Sequence, residues 1–194
     1  EQRIKEVFES EGPDALTACL RYTNESVIGE VRRRLTGWPD MTVRTHMIMD
    51  GTLRENALIK MNLTLTKKGD RLLFDFTGSS PEFTNRAINT QLPGMKGMVG
   101  QAFMNHIWPD LPRGQAGLSP IEFKTTPGSI VDCSYSAPNS QSLMSIFFSF
   151  TVAQHASAKM LYSTPEKYTR VLAPWHNMIN TFIWGGVNQH GETL

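Results

Sequence analysis

The chain has 194 residues, of which 40% are hydrophobic and 19% charged, with a formal net charge of +1. This balance is typical of a globular protein and excludes a disordered tail. The longest basic run, residues 32–34, has Glu30 beside it on a predicted helix. We interpret it as a solvated face and expect no nucleic-acid partner. No stretch approaches the roughly 20 apolar residues of a membrane span, so no membrane partner is expected.

The sequence of the first fifth of the chain predicts helix. Residues 1–8 have apolar side chains at helical spacing with no capping residue before them, and we expect a piece of a longer polypeptide. A long amphipathic helix is predicted over 13–36, beginning at Pro13 and ending before Pro39. We therefore treat residues 1–38 as a helical segment.

The next region, residues 39–92, predicts an antiparallel β-hairpin followed by a polar loop. Residues 42–49 form a strand, and apolar and polar side chains alternate strictly over 57–66, as in a half-buried strand. A turn at 67–70 returns the chain as a second arm over 71–77.

The sequence of residues 93–194 predicts a mixed region of helices, loops and short strands. Helices are expected over 93–107 and 142–162, with short strands near 120–124 and 129–134. A last short helix starts at Pro174, and a strand covers 181–184. Helices and strands come in separate blocks. The prediction is therefore an α+β fold, with long amphipathic helices and an antiparallel sheet, inside a larger multidomain subunit.

The loop over residues 77–90 is the first candidate site. Its glycine and serines could expose backbone N–H groups, and Arg86 could clamp a carboxylate or phosphate. The alternative is a structural connection in which Asn85 and Asn89 cap turns. Asp75, just before the loop, is expected to accept a backbone N–H bond that fixes it.

The second candidate lies near the end of the chain. His190 could move a proton, while Glu192 orients the imidazole or acts as a base. An exposed turn is an equally good interpretation of these residue types.

Metal and nucleotide motifs are missing from the sequence. No histidine pairs with another histidine or a carboxylate at zinc spacing, so we expect no complete metal site inside this chain. Neither a Walker loop nor a dinucleotide fingerprint is present. The two cysteines lie far apart, which favours reduced thiols, a buried Cys19 and a cytoplasmic location.

Several short blocks, in a shared order, give the chain a resemblance to the hydantoinase B/5-oxoprolinase family. They comprise residues 75–81, 88–90, 110–112, 127–130 and 137–138, together with Gly117. Four further blocks resemble the carboxylase branch, most of all the alpha subunits of ATP-dependent acetone carboxylases: residues 50–57, 82–86, 180–186 and 189–192. Aryl-ketone carboxylases and N-methylhydantoin hydrolases are near neighbours.

This resemblance implies a role in a cytoplasmic complex with a hydantoinase A-like beta subunit and a small gamma subunit. Such complexes join a ketone, acetone, to bicarbonate and form acetoacetate. ATP is expected in the partner subunit, and Mn²⁺ in the alpha subunit outside this chain. We expect Asn85, Arg86 and Asn89 to position substrate or phosphate, and His190 with Glu192 to give acid–base support.

Two alternatives remain open. The chain could belong to an ATP-dependent hydrolase that opens hydantoin or 5-oxoproline rings. It could instead be a non-catalytic assembly element whose aromatic side chains mark subunit interfaces, namely Phe147, Phe148, Trp175 and Trp184.

Overall fold

The computed structural model describes residues 2–52, 54–171 and 191. Their helices are α1 (Gln2–Thr36), α2 (Leu92–Ile107), α3 (Gln115–Leu118), α4 (Leu143–Leu161) and α5 (Lys167–Arg170). The strands are β1 (Met41–Gly51), β2 (Asn56–Lys68), β3 (Arg71–Asp75) and β4 (Ile121–Lys124). Helices and a sheet thus occur in separate blocks, and the predicted α+β class is confirmed.

Helix α1 is broken near its start. Gly12 has φ 81° and ψ 161°, a conformation that glycine adopts without steric cost, and Pro13 begins the second helical piece as predicted. Val27, Val31 and Leu35 lie one turn apart and are buried. Almost every residue from 2 to 26 is exposed. The expectation of a buried Cys19 is therefore wrong, because its thiol lies on the part of α1 that extends away from the core.

The four strands form one sheet in the order β1-β2-β3-β4. The β1/β2 and β2/β3 pairs are antiparallel, which confirms the hairpin. The β3/β4 pair is parallel, with Leu72 opposite Ile121, so a parallel strand joins the predicted antiparallel part and the whole sheet is mixed. The physical reason is the crossover through α2, which brings the chain back to the sheet in the same direction.

One face of the sheet carries the core. Ile59, Met61, Leu63 and Leu65 of β2 are completely buried. Helix α4 packs on β1 and β2, and α2 packs against α4. Phe74 of β3 lies edge-on to Phe103 of α2, with ring centroids 5.6 Å apart. Residues from all three predicted regions meet in this one core, including Leu35, Leu63 and Phe148. The three-region division itself stays a prediction.

Burial corrects part of the interface hypothesis. Phe148 is completely buried inside the core, and Phe147 beside it is half-buried on α4. Phe148 therefore serves the core and does not mark an interface. Trp175 and Trp184, like the predicted helix at Pro174 and the strand over 181–184, lie outside the described residues. Among the described helices, none combines the length and apolar character that a membrane span needs.

The segment predicted as a strand over 129–134 has a different structure. Ser129 makes only isolated bridges, to Pro81 and Asp132, and Gly128 has a left-handed φ of 78°. The strand prediction is wrong because a tight turn interrupts the extended backbone. The segment instead supports the polar loop through a hydrogen bond, in which the Thr90 N–H donates to the Ile130 carbonyl at 2.9 Å.

Candidate functional site

The polar loop begins where β3 ends, and Asp75 fixes its first turn. One carboxylate oxygen accepts the Thr77 N–H at 2.9 Å, and the other accepts the Lys124 ammonium at 3.0 Å. Partial burial acts to raise the pKa of the Asp75 carboxyl, but these donors outweigh it and the pKa is lowered. The predicted role of Asp75 as an N–H acceptor is confirmed.

The next residues continue the sheet instead of exposing their backbone. Ser80 N–H donates to the Lys60 carbonyl at 2.8 Å, and the Ser80 hydroxyl accepts the Lys60 N–H at 2.9 Å. The Ser79 hydroxyl accepts the Asn62 N–H at 3.1 Å. The N–H groups of the two serines are therefore already used, by the Phe76 carbonyl for Ser79 and by the Lys60 carbonyl of β2 for Ser80.

Asn89 holds the second half of the loop from inside. Its side chain is completely buried, and its amide oxygen accepts the Phe83 N–H at 2.7 Å. The amide nitrogen donates to the carbonyls of Phe83, Arg86 and Pro138 at 2.7, 3.2 and 2.8 Å. Because this amide is fully engaged with the backbone, we assign Asn89 a positioning role and no direct contact with a bound molecule.

Arg86 is held in place by three neighbours. Its Nε donates to the Thr52 hydroxyl at 3.3 Å, and Nη1 donates to the Asn85 carbonyl at 2.8 Å. Nη2 lies 2.9 Å from a carboxylate oxygen of Glu55. With 19% of its side chain exposed, Arg86 is a largely immobilised cation at the surface of the loop.

A cavity of about 350 Å³ opens beside Arg86. Three chain segments surround it, around residues 52–54, 84–87 and 138–141. The Gln141 N–H donates to the Ala87 carbonyl at 2.8 Å, which ties the third segment to the loop. Polar side chains line the opening: Thr52, Arg54, Thr84, Asn85, Arg86, Ser140 and Gln141. The structure thus brings Asn85 and Arg86 together at one opening, with Asn89 beneath them.

Arg54 and Gln141 were not predicted as site residues from the sequence. Arg54 is exposed, and no hydrogen bond or ion pair joins it to another described residue. The available signal was the polar run at residues 54–56, where β2 begins. Folding places this run beside the polar loop, which follows roughly 30 residues later in the sequence.

A second set of hydrogen bonds joins the polar loop to residues 133 and 134. The Glu82 carboxylate accepts the backbone N–H of Ser134 at 2.6 Å and its hydroxyl at 2.8 Å. These donors lower the pKa of the Glu82 carboxyl. The neighbouring Cys133 N–H donates to the Thr90 carbonyl at 3.1 Å, and burial raises the pKa of its thiol. Cys133 is thus a buried thiol of the scaffold.

The other predicted site residues lie elsewhere. His190 and Glu192 are outside the described residues, so their acid–base role stays a prediction. Across residues 2–52 and 54–171, no three His, Cys, Asp or Glu side chains form a cluster that could hold a metal ion. The described residues therefore do not fit a manganese centre, and no step is derived through one.

Comparisons with known proteins agree with this architecture. The chain is 26% identical over 193 residues to the acetophenone carboxylase delta subunit of Aromatoleum aromaticum, covering 99% of this chain and 28% of that protein. Its fold is similar to nucleotide-free acetone carboxylase, with a TM-score of 0.76 and 16% identity over 98% of this chain and 27% of that chain. It is also similar to the ATP-dependent caprolactamase from Pseudomonas jessenii, with a TM-score of 0.72 and 17% identity over 86% of this chain and 28% of that chain.

The chain therefore spans little more than a quarter of the length of these relatives, with 28% of the carboxylase subunit covered. The family model for hydantoinase B/oxoprolinase matches residues 1–194, the whole sequence. By that match the chain belongs to the hydantoinase B/oxoprolinase family.

Proposed function

We propose that this chain is part of the alpha-type subunit of an ATP-dependent complex that carboxylates a ketone, with acetone and bicarbonate giving acetoacetate. The observation that carries the proposal is the similarity to a carboxylase subunit along 99% of this chain. The polar cavity supports it, because bicarbonate and a keto-acid product both carry groups that a guanidinium binds well.

The described residues have distinct roles in this proposal. Asn85 and Arg86 contact the substrate at the cavity opening, where Arg86 is already oriented by Thr52 and Glu55. Asn89 holds the loop backbone that carries both residues. Because Arg86 is already oriented before the substrate binds, its side chain loses less conformational freedom on binding, which favours the reaction.

The energetic steps belong to the rest of the complex. Acetone and bicarbonate are both unreactive, so ATP is required to activate them, and we place the nucleotide on a hydantoinase A-like partner subunit. Mn²⁺, when bound, supplies Lewis-acid stabilisation of developing negative charge. We place it in the same alpha-type subunit outside this chain, and we place the assembly, completed by a small gamma subunit, in the cytoplasm.

A second candidate is ATP-dependent opening of a cyclic amide such as a hydantoin or 5-oxoproline. The specific observation in its favour is the structural similarity to an ATP-dependent caprolactamase, at a TM-score of 0.72. Ring opening consumes water, so the cavity must admit it. Carboxylation consumes bicarbonate and is favoured when the cavity excludes water.

Bicarbonate dependence separates the two candidates. The assembled complex is assayed with ATP and acetone, with and without bicarbonate, and in parallel with ATP and 5-oxoproline without bicarbonate. We expect ketone consumption that requires both ATP and bicarbonate. ATP-dependent ring opening in the absence of bicarbonate would replace the first candidate with the second.

We also propose that His190 and Glu192 provide acid–base support for enolisation of the ketone. His190→Ala in the complex is expected to lower kcat at least about a hundredfold, the lower end of the range for a lost general acid–base group. His46→Ala is the matched control, because His46 is exposed on β1 and does not line the cavity. Equal rates for the two variants would remove His190 from the site.

A further inference from the structure

We infer that Arg54 and Arg86 form a clamp for an oxyanion at the cavity beside the polar loop. Arg54 precedes β2, whereas Arg86 lies in the loop after β3, and both line the same opening of about 350 Å³. Two guanidinium groups facing one opening provide the donor geometry that a carboxylate, bicarbonate or phosphate group matches.

Arg86 is the fixed half of the clamp. One N–H each of Nε, Nη1 and Nη2 is used by Thr52, Asn85 and Glu55. A guanidinium carries two N–H bonds on each Nη atom. Among the described residues, no contact uses the second N–H of either Nη atom. The bonds that orient Arg86 therefore leave donors for a ligand.

Arg54 is the adjustable half. Its side chain is exposed, and no acidic group among the described residues pairs with it. Glu55 offsets the charge of Arg86 alone, so the opening keeps the positive charge of Arg54. An anion is the ligand that this charge favours, and it would draw Arg54 over the cavity.

Neutral donors complete the opening. Thr84, Asn85, Ser140 and Gln141 line it, and none of their side-chain polar atoms is engaged with another described residue. Hydroxyl and amide groups of this kind bind the remaining oxygens of a small oxyanion. The residues that line the opening are mainly polar, which disfavours a hydrocarbon ligand.

Two sources could supply the oxyanion: bicarbonate or a carboxylate substrate, and a phosphoryl group produced from ATP. The clamp rests on the proposed function, because the clamp and the proposed reaction each require substrate in this cavity. It is tested by binding alone, so that loss of the clamp and loss of the proposed reaction are separate results.

The test is isothermal titration of the complete assembly with sodium phosphate and, separately, with sodium bicarbonate at constant ionic strength. The variants are Arg54→Ala, Arg54→Lys and Arg86→Ala, with Arg21→Ala as the matched control. Arg21 is an exposed arginine of α1 that does not line the cavity, so its removal changes the total charge equally. Circular dichroism confirms that each variant is folded.

We expect one oxyanion site per copy of this chain, weakened about tenfold or more in Arg54→Ala and in Arg86→Ala and unchanged in Arg21→Ala. Arg54→Lys should recover part of the affinity. Loss of phosphate binding alone identifies the phosphoryl source, and loss of bicarbonate binding the carboxylate source. The inference is overturned if either alanine variant binds both anions as tightly as Arg21→Ala does. Clamp binding without ketone carboxylation would overturn the proposed function and leave the clamp intact.

Discussion

Asn85 and Asn89 lie in the same loop, and their amides have opposite surroundings. The Asn85 side chain is exposed at the cavity, whereas that of Asn89 is 0% exposed and bonded to four backbone groups. A buried amide of this kind is costly to remove because its partners lose their hydrogen bonds together. Stability and ligand contact are thus assigned to different residues of one loop.

Alanine substitutions separate these two roles. Asn89→Ala is expected to lower the free energy of unfolding by about 2–4 kcal/mol, since buried carbonyls and one N–H lose their partner. Asn85→Ala should stay within about 0.5 kcal/mol of the parent, as exposed substitutions usually do. Urea denaturation of both variants measures the difference. Equal stabilities would show that the Asn89 network contributes nothing to the loop.

Residue types predicted part of the site. Arg86 and Asn85 could be proposed from the sequence because a polar loop after a strand is a common place for binding residues. The partners that orient Arg86, Thr52 and Glu55, could not, since sequence separation says nothing about a pairing across β2 and β3. Nor do the residue types distinguish the buried Asn89 from the exposed Asn85.

At the scale of elements, Arg34 joins the end of α1 to the segment after α2. Its guanidinium donates to Asp110 at 2.9 and 2.5 Å and to Glu30 at 2.6 Å. The hydrogen bond from Arg34 lowers the pKa of Asp110 to about 2, and bonds from Arg33 and Arg34 lower that of Glu30 from 4.5 to about 2. Both carboxylates are therefore stabilised as anions in the folded chain.

This network predicts a loss of stability in acid. A carboxyl whose pKa is lowered by folding stabilises the fold above its unfolded pKa, and that contribution disappears as the pH falls through the folded value. The free energy of unfolding should therefore decrease from about pH 4.5 to about pH 2. Asp110→Asn should make this decrease smaller, by about 1 kcal/mol at most, because Asp110 is half exposed and screened. Denaturation curves across this range measure the effect, and an unchanged slope in Asp110→Asn would contradict it.

Glycines of α2 offer a matched pair of tests. A Cβ at Gly97 would meet nothing within 4 Å, whereas one at Gly100 would lie 2.7 Å from Leu118. Gly97→Ala should raise the free energy of unfolding by about 0.5–1 kcal/mol through helix propensity. Gly100→Ala should gain less or destabilise, because the Leu118 side chain must move. Thermal denaturation compares them, and equal gains would mean that α2 and α3 are not closely packed there.

Helices and strands with a strong hydrophobic periodicity could be predicted from the sequence. Segments whose structure depends on contacts with distant residues could not. The alternation along β2 and the apolar spacing of α4 each depend on one buried face, which the sequence displays directly. The 129–134 segment has apolar residues, but it follows the positive φ of Gly128 and pairs with the distant Thr90. Its shape depends on tertiary contacts that local patterns do not encode.

At the scale of the whole molecule, the cavity lies where three segments distant in sequence converge on one sheet and helix layer. The chain spans 28% of its curated relative, and the described residues hold no metal cluster. In our proposal this chain therefore provides one wall of a shared site, while metal and nucleotide come from other parts of the assembly. The same proposal has Arg86 among the residues of this wall that contact the substrate.

The most direct test follows isotope from labelled bicarbonate into product with the assembled complex, ATP and acetone, comparing the parent, Arg86→Ala and Arg21→Ala. We expect ATP-dependent labelling of acetoacetate that falls about tenfold or more in Arg86→Ala and is unchanged in Arg21→Ala. Absence of label in the parent's product, or equal labelling by the two arginine variants, would contradict it.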